Sequence, residues 1–145
     1  MTFEYSDAWL LQSIKLSENG DKGATLIDII QAADYINHAI LTNSEFTTGT
    51  KKLKSIGLIT EKDKRLETTD KFNEWWTKRY GQKNRISVLK TLEEIEKYLN
   101  KNYGTIEATE LNTEITYADL NSATAEYHKL AQEVLSKMTK KKRDK

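Results

Sequence analysis

The sequence predicts a mainly α fold carrying one small β-hairpin. Apolar residues recur at three- and four-residue steps along most of the 145 positions, the period of a helix with one buried face. There is no proline, and six glycines are too few turn-formers for a many-stranded design. Only "LITEKDKRLETT", residues 58–69, reads as two short strand-like runs around a tight charged turn.

The elements follow in chain order. Ser6 and Asp7 precede "AWLLQSIKL", where Trp9, Leu10, Leu11 and Ile14 form one helical stripe, and "SENGDKG" ends it as a polar loop. Thr25 begins a second helix, with a hydroxyl able to cap the first turn and Asp28 three residues on. Leu26, Ile29, Ile30, Ala33 and Ile36 or Asn37 keep its period, but no glycine or proline marks an end within "NHAIL". Thr42 and Glu45 repeat the capping pattern at the favoured spacing, and Phe46, Gly49, Leu53 and Ile56 define the inner face of a third helix. Gly49 lowers helix propensity by about 1 kcal/mol relative to alanine, which a close approach to another helix would explain. Gly57 stands where a left-handed helix terminator belongs.

Beyond the hairpin, Thr69 is placed to cap a fourth helix, "DKFNEWWTKRY", with Phe72, Trp75 and Trp76 on one side. Burial of Trp75 or Trp76 against the C-terminal helices is expected. "GQKN" reads as a joint. "SVLKTLEEIEKYLNK" is amphipathic through Val88, Leu92, Ile95 and Leu99, while "NYGTIEATELNTEI" suits either a loop or a short strand. Thr116 with Asp119 opens a last helix to Met138, with a stripe of Leu120, Ala123, Tyr127, Leu130, Val134 and Met138. The expected organisation is a domain over 1–80, a helical extension over 81–139 suited to dimerisation, and a basic disordered tail over 140–145.

Several chemistries are set aside by composition. Without cysteine there is no disulfide or thiolate chemistry. No stretch approaches the roughly 20 apolar residues of a membrane span, and the first residues lack the basic start of a secretion signal, so a cytoplasmic protein with no membrane partner is expected. There is no nucleophile elbow and no glycine-rich phosphate loop. His38 and His128 stand without a carboxylate pattern and read as structural or solvated. An enzyme is therefore not expected, nor any catalytic residue, metal or cofactor. The net charge of +1 is unevenly distributed: six acidic and two basic residues in 1–42, three acidic and six basic in 43–65, six acidic and two basic in 101–136. The basic block is the part suited to a polyanion.

The stretch "TLIDIIQAADYINHAILTNSEFTTGTKKLKSIGLITEKDKRLETTDKF" resembles the winged helix-turn-helix of the MarR and PadR type of bacterial transcriptional regulators, over residues 7–80 or so. "LKSIGLI", a charged turn and "LETTDKF" are similar to their recognition-helix end, wing and following helix. "DYINHAIL" departs from the compact turn of about 3–4 residues usual between the two core helices. The resemblance implies a homodimeric regulator of transcription bound to double-stranded DNA, its recognition helix at about 43–56 and its wing at about 58–68.

With Phe46, Gly49, Leu53 and Ile56 inward, Ser44, Thr47, Thr48, Lys51 and Ser55 face outward. Asn43, Ser44, Thr47 and Thr48 are then candidates to enter a groove. Lys51 and Lys54, with Lys62, Lys64 and Arg65 of the wing, are candidates for phosphates. Glu45, Glu61 and Asp63 repel phosphate, and the third helix holds no arginine, so strong sequence specificity is not expected. The alternative is a winged helix serving protein–protein contact, in which the acidic segments matter more than the lysines. The sequence identifies neither an effector ligand, nor an operator, nor whether regulation is positive or negative.

Overall fold

A computed structural model of the chain describes residues 2–18, 22–81, 86–107 and 111–143, the last four of these by backbone alone. The expected joint at 81–84 and the end of the basic tail fall largely outside the described residues.

Helix α1 (Tyr5–Ser17) is the axis around which the rest is packed: every residue from Asp7 to Ile14 is buried. Its start lies earlier than Ser6, where Glu4 and Asp7 cap each other's backbone reciprocally. Helix α2 (Leu26–Asn37) is capped by Thr25, which accepts from the Asp28 amide at 3.2 Å. It is joined to α1 by the Trp9 indole, whose Nε1 donates to the Ala33 carbonyl at 3.0 Å. The end of α2, unmarked by glycine or proline, falls at His38. That residue takes a left-handed conformation (φ 53°), which histidine tolerates better than bulkier or branched side chains.

Helix α3 (Asn43–Ser55) begins with the full Thr42–Glu45 capping box. A Cβ on Gly49 would lie 2.8 Å from Leu10 Cδ2 and 3.2 Å from an Asp7 carboxylate oxygen, so the glycine lets α1 and α3 touch. Beside this contact the buried Asp7 accepts from Lys52 Nζ at 2.9 Å and from the Glu4 amide at 2.8 Å. Breaking such a buried pair by removing one partner typically costs about 3–5 kcal/mol. Gly57 then supplies the expected left-handed residue (φ 73°).

Strands β1 (Ile59–Lys62) and β2 (Arg65–Thr68) pair antiparallel, closed by Lys62 opposite Arg65. Asp63 and Lys64, both at positive φ, make the tight turn, whose twist suits a two-residue hairpin. Ala24 pairs with Leu66 on the other edge of β2 (2.7 and 3.1 Å), adding a one-residue stub of a third strand. Ile59, Leu66 and Thr68 turn inward.

Helix α4 (Asp70–Tyr80) differs from expectation in two ways. Thr69 occupies the cap position, but its hydroxyl donates to the Gly57 carbonyl at 2.6 Å instead of capping. Trp75 and Trp76 are only half-buried; Phe72 and Tyr80 take the buried places. The tryptophans form an aromatic ridge instead, with Trp75 stacked on Tyr98 at 4.5 Å.

Helix α5 (Val88–Tyr103) buries Leu92, Ile95, Leu99 and Tyr103 in the same continuous core as α1 to α4. The Asn100 side chain bonds both the amide and the carbonyl of Phe3, at 3.0 Å each. Helix α6 (Tyr117–Arg143) opens with a reciprocal Thr116–Asp119 cap. It buries Leu120 and Ala123, then donates from the Tyr127 hydroxyl to Asp34 of α2 at 2.6 Å. Beyond that tether Leu130, Val134, Leu135 and Met138 are exposed. The whole is mainly α with a small antiparallel hairpin. Among the described residues no helix is long and apolar enough to cross a membrane.

Candidate nucleic-acid interface

The capping box fixes the first turn of α3, and Gly49 against Leu10 fixes its inner face. Two outward stripes remain. Asn43, Thr47, Lys51 and Lys54 recur at helical steps on one; Ser44, Thr48 and Ser55 lie on the next. The hairpin adds Lys62, Lys64 and Arg65.

The structure divides these residues into two groups. Ser44 and Thr48 are exposed, and Lys51 is half-buried, forming no ion pair among the described residues. Lys62 and Arg65 are exposed and likewise unpaired. Thr60 and Lys62 of one strand, Arg65 and Glu67 of the other, and Lys22 border a groove of about 260 Å³.

Asn43, Lys54 and Lys64 meet the chain's own C-terminal part. Lys54 Nζ donates to the Asn112 carbonyl at 2.7 Å and lies 3.4 Å from the Glu61 carboxylate. Glu61 also accepts from the Thr113 hydroxyl at 2.5 Å and from the Glu114 amide at 2.9 Å, leaving its side chain 5% exposed. Lys64 Nζ lies 3.0 Å from an Asp119 oxygen. The Thr116 backbone amide first, and Lys64 next, hold the Asp119 carboxyl below the usual range. Asn43 Nδ2 donates to Asn121 Oδ1 at 2.9 Å. The Thr47 hydroxyl is shut off from solvent without a hydrogen-bond partner.

Segment 112–121 thus runs along α3 in reverse, from Lys54 near its end to Asn43 at its start, and passes the hairpin turn on the way. Ile115 and Leu120, both buried, anchor it. Lys52, placed by its sequence position on the flank of the basic face, points away toward Asp7 and the Thr2 carbonyl.

By its charge alone Glu61 reads as an obstacle to phosphate, yet in the fold it stands at the centre of this packing. The signal available was charge: the acidic block 101–136 complements the basic block 43–65. No family model, curated protein or solved structure matches this chain.

Proposed function

We propose that this chain is a DNA-binding transcriptional regulator of winged-helix type, acting as a homodimer in the cytoplasm, with α3 as recognition helix and the hairpin as wing. The order α1, α2, α3, hairpin, α4, with the Ala24 stub beside β2, supports the reading. One observation carries it: Lys51, Lys62 and Arg65 have no acidic partner among the described residues, whereas Lys52 and Lys54 of the same helix do. Cations left without an internal partner are available to displace counterions from a phosphate backbone, and Ser44 and Thr48 stand exposed on the same helix.

The experiment is fluorescence anisotropy with random-sequence duplex across a salt series. Three phosphate contacts would give a log–log salt slope near −3, at about 0.9 per contact. Replacing Lys51, Lys62 and Arg65 together by alanine should remove these three contacts' share of the slope and weaken binding to every duplex alike. A folded triple variant with the parent's affinity and slope would remove these residues from the interface.

A second reading, a winged helix used for protein–protein contact, is favoured by the internal engagement of Asn43, Lys54 and Lys64. It expects the parent itself to bind duplex feebly even at low salt.

A further inference from the structure

The contacts of residues 112–121 are distributed over the parts of α3 and the hairpin that a nucleic acid would need. At the helix start Asn121 occupies the amide of Asn43; at its end the Asn112 carbonyl occupies the ammonium of Lys54; at the hairpin turn Asp119 sets a carboxylate against Lys64. Asp119 sets against that lysine a negative charge of the kind a backbone phosphate carries. The polar contacts of Asn43 and Lys64 are exposed, and charge pairs of this kind are weak and screened by salt. The apolar hold comes from two residues, Ile115 and Leu120.

We propose that segment 112–121 is an intramolecular cover on the α3–hairpin face, a phosphate-mimicking strap that competes with nucleic acid and must move aside for full binding. This rests on the DNA-binding reading above. It assigns a regulatory role to the stretch that links α5 to α6. Lys51, Lys62 and Arg65, outside the strap's polar contacts, provide a first weak encounter; Asn43, Lys54 and Lys64 become available once the strap lifts.

The chain has no cysteine, so a thiol pair can be introduced at one place only. In a variant carrying Glu61→Cys and Thr113→Cys, whose side chains touch in the parent and lie outside the proposed DNA contacts, a short bis-maleimide would tie the strap down. The same variant with each thiol capped by N-ethylmaleimide matches it in charge and nearly in bulk. Circular dichroism establishes that both forms are folded, and anisotropy with random duplex at low salt reads their affinities. The capped form is expected to bind at least tenfold more tightly than the tied form, with a steeper salt slope by about 2 as Lys54 and Lys64 are released. Equal, measurable affinity and slope in both forms would overturn the strap while leaving DNA binding in place. Absence of binding by the parent and the capped form alike would overturn the DNA-binding reading, and the strap with it.

Discussion

Tyr80 shows how a single side chain gains a pH signature from its surroundings. Its hydroxyl donates to Glu94 Oε2, which also accepts from Arg79 Nε. Burial foremost, and the Glu94 carboxylate next, push the phenol up to about 12, while hydrogen bonds from Arg79 and Tyr80 hold Glu94 below the usual range. A phenol raised in the folded state stabilises fully below its unfolded value near 10, and the contribution disappears as pH rises through about 12. Tyr80→Phe should therefore melt below the parent at pH 8, and the gap should close between about pH 10 and 12. Melting curves across that range test it; a gap constant to pH 12 would exclude the Tyr80–Glu94 contact as its source. The spacing of Phe72, Trp75 and Trp76 reveals which side of α4 is apolar. It does not reveal depth, because Tyr80, eight residues beyond Phe72, competes for the buried place and wins it.

Between elements, the closest approach is α1 against α3 at Gly49. Alanine there would gain about 1 kcal/mol of helix propensity. The added methyl, however, would meet the fully buried Leu10 at 2.8 Å, and overpacking of this kind costs about 1–3 kcal/mol. Gly49→Ala should accordingly lose about 1 kcal/mol net in urea unfolding. A variant more stable than the parent would mean that Leu10 can move away freely. Three helix starts were legible from a threonine with an acid three residues on, at Thr25–Asp28, Thr42–Glu45 and Thr116–Asp119. The helix end at His38 and the turn at Asp63–Lys64 were not fully specified by residue type, because positive φ at such residues is decided by the packing around them. The outward face of α3 could be read from its period, but the strap over it could not. Its contacts join residues separated by 52 to 78 positions, with no local pattern beyond opposite charge.

At the scale of the molecule, the two C-terminal stripes meet different ends. That of α5 is spent on the chain's own core. The later part of α6 leaves Leu130, Val134 and Met138 exposed at 46%, 57% and 55% on helical spacing. For the homodimer proposed above, antiparallel pairing of this stripe about residue 132 would bring Glu126 of one copy near Lys137 of the other. Sedimentation should show a dimer at micromolar concentration, and Leu130→Asp with Val134→Asp should return it to monomer. A monomeric parent across that range would rule the pairing out.

The bond pair between Phe3 and Asn100 spans 97 positions, and α1 between them is buried partly by α5. On a ribosome the chain is made from the Phe3 side. The first helix therefore emerges long before the surface that finally encloses it exists. Trp9, Leu10, Leu11 and Ile14 must wait, exposed or in provisional contact with α2 and α3, until residue 100 has left the exit tunnel. Such delay in satisfying distant contacts makes a nascent chain slow to fold and prone to association. For this protein the early helix, central in the finished fold, is made well before the α5 surface that completes its burial.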